Sequence, residues 1–487
     1  MMTQQELEKY LWGAATTLRG TIDAGDYKQY IFPLMFFKRI CDVYDEEFEN
    51  ALAESDGDLE YAAFAENHHF QVPKGAHWND VRETTTNIGL ALQNAMRAIE
   101  KANPDTLEGI FGDASWTNKE RLSDAMLTEL IEHYSEQKLN LKNVPDDKLG
   151  NSYEYMIKKF ADDSGHTAAE FYTNRTVVKL MTLIMDPQPG ESVYDPTCGS
   201  GGLLLNCALH LKEEGKEYRN LKLYGQEINL LTSAIARMNM FMHGIEEFDI
   251  VRGNTLSNPG LLENDELKKF NVILANPPYS IKSWDRKSFE SDPYGRNVWG
   301  TPPQGCADYA FQQHIQKSLD LGNGRSISLW PHGILFRDAE TAMRRKMIEQ
   351  DQVECVIGLG PNLFYNSPME ACLLITKTNK DTYKKGNVLF VNAVKEVSHE
   401  RTSTLLNDNN IIKILTAYKN HSDIEGFSKV VNVDEILSKN ASLNIAQYIS
   451  NVSSSDAKIK VEDAYSQWVD SSKEFNLAIN ETLQGLV

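Results

Sequence analysis

The chain has 487 residues and an apolar fraction of 41%, enough for a packed core and, at about 150 residues per domain, for two to four domains. Its 49 Lys and Arg against 69 Asp and Glu give a net charge of −20, which argues against a protein that grips a phosphate backbone unaided. Six scattered cysteines without a Cys-x-x-Cys pair, no apolar run near the roughly 18 residues of a membrane span, and no basic-then-apolar leader in Met1-Met2-Thr3-Gln4-Gln5-Glu6 argue against disulfides, zinc and the membrane, and predict a cytoplasmic protein.

The first 150 residues read as helix. Leu7, Leu11, Ala14 and Leu18 recur at spacings of 4, 3 and 4 within residues 4–23, the mark of an amphipathic helix. Residues 30–44 are apolar almost all round, which predicts a buried helix with Pro33 in its first turn. Further stripes run through 86–102 (Ile88, Leu92, Met96, Ile99) and 120–135 (Leu122, Met126, Leu130, Tyr134). A helix with Tyr153, Ile157 and Phe160 leads to a polar loop over 162–169, then Glu170-Phe171-Tyr172-Thr173-Asn174-Arg175 and another helix, which Thr173 is placed to cap.

The pattern then alternates strand and helix. Ser192-Val193-Tyr194-Asp195 is a short strand ending in an acid, followed by Pro196-Thr197-Cys198-Gly199-Ser200-Gly201-Gly202 and an apolar helix. Glycines here permit positive φ and close approach of a ligand to the backbone. No Gly-Lys-Ser/Thr follows, so a phosphate-binding P-loop is not indicated. The next strand, Leu221 to Ile228, carries Glu227 near its end. An acid there can accept both hydroxyls of a ribose, which fits dinucleotides and S-adenosylmethionine alike. Leu231, Ile235, Met238 and Met242 form a core-facing helical stripe, and Val251-Arg252-Gly253-Asn254 closes a short strand.

Phe270-Asn271-Val272-Ile273-Leu274-Ala275 is a buried strand that Asn276-Pro277-Pro278-Tyr279 stops abruptly. Two prolines cannot continue a ladder, and each restricts the residue before it. The result is a stiff corner at the carboxyl end of a strand, where open α/β sheets bind ligands. An amino nitrogen on a heteroaromatic ring is a poor nucleophile because its lone pair is delocalised. The Asn276 carboxamide oxygen and the Pro277 carbonyl can accept its two N–H groups and aim that lone pair at an electrophile. Tyr279 offers a face for the base, worth roughly 1–3 kcal/mol in stacking, with no task for its hydroxyl. This corner decides between the two cofactors in favour of the methyl donor. The absence of a Pro-Cys dipeptide argues against a cytosine-C5 enzyme.

The long loop 280–306 carries Trp284, Arg286, Lys287, Arg296 and Trp299, aromatic and basic residues suited to an unstacked nucleotide at the mouth of the site. His332 reads as structural. Strands at 353–359, 371–376 and 387–391 complete the sheet. From about residue 401 the pattern is helical and polar, with Tyr465, Trp468, Phe475, Ile479 and Leu483 on one helical face of 461–486, which either docks on its own domain or packs on a partner's helices.

Residues 149–400 resemble a γ-type amino-methyltransferase, and nearly the whole chain is similar to the modification subunit of type I restriction-modification systems, HsdM. The resemblance rests on order and spacing. Its stretches are Leu11-Trp12-Gly13-Ala14-Ala15, Asp26 to Phe32, Glu170 to Thr173, the two motifs above, Ala307-Asp308-Tyr309-Ala310-Phe311, Pro331 to Phe336, Asn362-Leu363-Phe364-Tyr365 and Ser442 to Ile449. It implies a doubly wound, mostly parallel α/β domain over 151–400, a helical N-terminal domain over 1–150 and a C-terminal helical region over 401–487 for subunit contact.

The resemblance implies transfer of a methyl group from S-adenosylmethionine to N6 of adenine in DNA. The recognition sequence would be read by a separate specificity subunit, beside a second modification subunit and a restriction subunit. Asn276, Pro277, Pro278 and Tyr279 would be catalytic. Glu170, Phe171, Tyr172, Thr173, Asn174, Arg175, Asp195, Gly199, Ser200, Gly201, Gly202, Glu227 and Asn254 would hold the cofactor, the first six at its methionine end. Asn174 stands where relatives have proline, Asn254 where they often have Asp, and Asn366-Ser367 where they have Gly-Thr. The alternatives are an enzyme acting on protein glutamine or RNA, and an assembly scaffold without catalysis.

Overall fold

The computed structural model describes residues 2–19, 21–163, 173–363, 369–399, 404–449 and 468. Glu170, Phe171, Tyr172, Asn366, Ser367 and nearly all of the proposed helix over 461–486 lie outside the described residues.

Helices make up the N-terminal region. Gln4–Thr17 opens with a capping box, in which the Thr3 hydroxyl accepts from the Glu6 N–H and the Glu6 carboxylate from the Thr3 N–H. Lys28–Glu54 is longer than the apolar run within it, so Pro33 sits in the helix interior and not in its first turn. The loss of that one backbone bond is outweighed by burial of almost every residue from Tyr30 to Asp42. Three of these are charged, and each is satisfied: Lys38 pairs with Asp42, and Arg39 reaches Asp146 at 2.7 Å and the Val144 carbonyl at 2.8 Å. Ile88–Ala102 and Asp124–Ser135 match the predicted stripes.

This helical core does not stop at residue 150. Asp146–Asp163 contributes Tyr153, Met156, Ile157 and Phe160, and the helix Leu230–Met242 lends Ala234, Ile235, Met238 and Met242 from the next domain. The helical region is therefore seated on the sheet domain by shared apolar packing.

Among the described residues the main sheet has nine strands. In spatial order they are Ser428–Asn432, Asn387–Ala393, Val353–Leu359, Ala371–Lys377, Arg325–Pro331, Val272–Ala275, Ser192–Asp195, Lys222–Glu227 and Phe248–Arg252. The last five are mutually parallel, whereas Ala371–Lys377 runs antiparallel to both neighbours. Helices cover both faces. Leu203, Leu204 and Met181 pack with Val272 and Leu274 on one face, and Ile315 packs with Ile273 and Ala275 on the other. Strands buried on both faces read as continuous apolar runs, which is why Val272–Ala275 was visible in the sequence.

The expected boundary at residue 401 is corrected. Ser428–Asn432 pairs with Asn387–Ala393 as an antiparallel edge strand, and helix Asp408–Asn420 adds Ile411 and Ile414 to the sheet core. Ile445–Gln447 also belongs here, with Tyr448 stacked on Phe390 at 4.4 Å between ring centroids. Among the described residues no helix is long and apolar enough to cross a membrane.

Candidate active site

Strand order reverses at Ser192–Asp195, which lies between Lys222–Glu227 and Val272–Ala275. The carboxyl ends of these three strands carry Asp195, Glu227 and Asn276, so the topology places the predicted residues around one crevice.

Gly199 (φ 54°) and Gly201 (φ 80°) have the left-handed conformation that favours glycine. They turn the chain from Asp195 into helix Gly202–Glu213. Glu227 locks this turn. One of its oxygens accepts from the Gly199 N–H at 3.1 Å and the other from the Asn229 N–H at 2.9 Å. Burial raises the Glu227 carboxyl above its usual range, and these backbone donors pull it partly back.

Asp195 is 1% exposed. It accepts from the Thr197 N–H at 3.0 Å. Burial, with a smaller contribution from the nearby Glu227 charge, pushes its carboxyl up to about 8. Asp195, Thr197, Cys198, Gly199, Ser200 and Gly202 line a cleft together with Thr173, Arg175 and Asn276.

Glu154 also lines this cleft, and the sequence reading missed it. It is buried, pairs with Arg175 at 2.5 Å and accepts from Asn239 at 3.3 Å. Its signal was an acid beside Tyr153 on an otherwise buried helical stripe. With Arg175 paired to Glu154, the further carboxyl of the cleft is that of Asp195, neutral at pH 7 in the free protein and able to ionise against a cation. A cationic ligand is favoured by ionising Asp195, a gain that an anionic ligand does not have.

Asn276 follows the strand directly and is half-buried. Its Nδ2 donates to the Thr173 hydroxyl at 3.0 Å, and its Oδ1 accepts from the Tyr279 hydroxyl. The Tyr279 hydroxyl therefore has a partner that a purely stacking role does not require. Its ring lies 6.4 Å from that of Trp330, which is fully buried. Among the described residues no hydrogen bond uses the Pro277 carbonyl. The corner is pinned from behind, where Asp308, fully buried, accepts from the Ser280 N–H at 2.7 Å and pairs with Arg337. Cys306, Asp308 and Glu340 lie close enough together to share a cation. Arg337 already bonds both carboxylates.

Two expectations change, at Thr173 and in the 280–306 loop. Thr173 does not cap the helix Arg175–Met185; Asn174 does, accepting from the Thr176 N–H at 3.0 Å. Asn254 is exposed, and its Oδ1 accepts from the Leu256 and Ser257 N–H groups at 3.0 and 3.2 Å. In the 280–306 loop, Arg296 and Trp299 are buried, so they are not at the mouth of a base pocket. Arg296 is bound by Asp292 and two carbonyls, and Trp299 donates to Gln350 at 2.8 Å. Lys287 remains exposed, and Arg286 is paired with Glu290.

Residues 144–457 match the N-6 DNA Methylase family and residues 7–134 the HsdM N-terminal domain. The chain belongs to the N-6 DNA methylase family. It is 28% identical to the type I restriction enzyme MpnII methylase subunit of Mycoplasma pneumoniae, over 99% of this chain and 96% of that one. The HindI methylase subunit of Haemophilus influenzae is also 28% identical, over 79% and 91%. The crystal structure of the type I restriction-modification methyltransferase subunit from Streptococcus thermophilus superposes with a TM-score of 0.79 at 29% identity, over 92% of this chain and all of that one. An N-6 DNA methylase behind an HsdM N-terminal domain is the make-up of a type I modification subunit, an adenine-directed DNA methyltransferase.

Proposed function

We propose that the chain methylates N6 of adenine in DNA, using S-adenosylmethionine held in the cleft between Asp195 and Asn276, and that a separate specificity subunit supplies sequence recognition. The observation that carries this reading is the Asn276 carboxamide at the edge of that cleft, its oxygen on the side of the Pro-Pro corner. When bound, S-adenosylmethionine supplies an electrophilic methyl group on a positively charged sulfur. Asn276 Oδ1, which spends one lone pair on Tyr279, has a second for one N–H of the adenine amine, and the Pro277 carbonyl takes the other. Positioning of this kind can supply roughly 7–11 kcal/mol of the barrier. The adenine must first leave the helix, at a cost of a few kcal/mol, and the Tyr279 ring offers a face in place of its lost neighbours. Glu227 is suited to the ribose hydroxyls, Asp195 and Glu154 to the cationic end. Labelled S-adenosylmethionine, unmethylated DNA and the assembled subunits test this directly. Label recovered as N6-methyladenine supports it, and no transfer, or label on protein or RNA, overturns it.

Cofactor binding should be linked to pH through Asp195. Its carboxyl, near 8 in the free protein and about 3.9 unfolded, favours the neutral form in the fold. That preference adds stability below about pH 4 and loses it as pH rises through 8. A bound cation favours the carboxylate, so binding at pH 7 should release protons, and affinity should rise towards pH 8 and then level. Calorimetry in two buffers of different ionisation enthalpy measures the release. Asp195→Asn should remove most of it, leaving the smaller share of Glu227.

With a net charge of −20, the chain alone should bind duplex DNA no tighter than about 1 µM at physiological salt. Anisotropy titration with and without the specificity subunit checks this. Nanomolar, sequence-selective binding by the chain alone would refute the division of labour. A second modification subunit and a restriction subunit complete the assembly we propose, and the cytoplasm is its expected location.

A further inference from the structure

A carboxamide has two ends of nearly equal size and opposite polarity. Only the oxygen end of Asn276 is useful against an amino group, because the nitrogen end would oppose donor to donor. Something must therefore hold the side chain in one orientation while the base comes and goes.

Two hydroxyls grip the carboxamide from opposite sides. Tyr279 donates to Oδ1 and belongs to the corner itself. Thr173 lies 103 residues away in sequence and accepts from Nδ2 at 3.0 Å. A threonine ahead of a helix ordinarily spends its hydroxyl on capping. Here Asn174 takes over that duty, bonding the Thr176 N–H at 3.0 Å and the Thr176 hydroxyl at 2.8 Å, while its own Nδ2 is fixed to the Thr404 carbonyl at 3.0 Å. Asn174 thus leaves the Thr173 hydroxyl available to Asn276. A proline at 174 could not cap in this way, since it has no side-chain acceptor.

We infer that Thr173 is the positioning residue for Asn276, taking the amide nitrogen so that the oxygen faces the adenine amine. This rests on the proposed methyl transfer at Asn276. Thr173 also lines the cofactor cleft. The carboxamide is then already oriented when the base arrives, and substrate binding need not spend free energy selecting one of two flips.

The test uses the full chain assembled with its specificity subunit, in single turnovers on unmethylated DNA at saturating S-adenosylmethionine. Thr173→Val keeps the shape and removes the acceptor; Thr173→Ser keeps the acceptor. The rate constant of Thr173→Val should fall about 10-fold, the size of one lost hydrogen bond. The loss should persist at saturating S-adenosylmethionine whatever the variant does to cofactor affinity, and Thr173→Ser should recover most of the rate. Thr173→Ala, which creates no new contact, should repeat the Val result and serves if Val lowers the melting temperature. A loss confined to cofactor affinity, with the saturated rate intact, would overturn the inference, as would a Ser variant as slow as Val. If Asn276→Ala itself keeps the wild-type rate, the proposed chemistry at the corner fails, and that outcome is distinct from a failure of Thr173 alone.

Discussion

Asn276→Ala is expected to lower the methylation rate about 100- to 1,000-fold, the penalty of removing one preorganised polar group aimed at a reacting atom. Cofactor affinity should remain within a few-fold, because the Asp195 turn and the Glu227 clamp do not use this side chain. Glu227→Ala should show the converse. Its carboxylate anchors the Gly199 and Asn229 N–H groups, so its loss removes the proposed ribose acceptors and frees the glycine turn together. Each lost charge-assisted hydrogen bond is worth roughly 1.5–3 kcal/mol, so affinity should drop at least about 10-fold. At saturating cofactor the Glu227→Ala rate should recover much of its loss, while Asn276→Ala stays inactive at any cofactor concentration. Calorimetry and single-turnover kinetics on both variants separate binding from chemistry. An equal loss of cofactor affinity in the two would sink the assignment of roles.

What the sequence revealed, and what it hid, follows from the range of the signals involved. The N-terminal helices were legible because their apolar stripes are local and strongly periodic. The corner was legible because two prolines and an asparagine after a buried run leave few conformations. Ser428–Asn432 was not, because a five-residue edge strand with Lys429 and Asn432 exposed carries almost no apolar signal. Thr173 and Asn174 are both good capping residues, and nothing local decides between them; a residue 103 positions away does. Glu154 reaches the cleft only through packing of its helix on Leu230–Met242, which brings Asn239 to it. Basic and aromatic residues in the 280–306 loop looked alike in sequence, yet burial divides them between framework and surface.

That division yields the largest stability effect. Arg296 is 2% exposed, and so is the side chain of its partner Asp292. Its guanidinium bonds Asp292 at 2.6 Å, the Thr255 carbonyl at 2.8 Å and the Leu256 carbonyl at 2.7 Å. It thereby ties the loop leaving the Asn-Pro-Pro-Tyr corner to the turn after Phe248–Arg252. Arg296→Met fills similar volume but leaves the buried Asp292 carboxylate with only the backbone N–H of residue 296 and strips two carbonyls of the guanidinium, a loss of about 3–5 kcal/mol. Arg296→Lys should not rescue it, since one ammonium cannot reproduce a planar fork on three acceptors. Arg296→Met combined with Asp292→Asn should recover part of the loss, because the stranded charge is then gone. A chain of several domains does not unfold in one step, so the readout is local. Amide exchange over residues 254–257 and 284–300 should quicken by about two to three and a half orders of magnitude at 1.4 kcal/mol per decade. The melting temperature should fall alongside. Lys287→Ala, at an exposed position on the same loop, should leave exchange unchanged and weaken DNA binding only. Unchanged exchange in Arg296→Met would mean that the loop is held in place by other contacts, and that this buried ion pair is not its anchor.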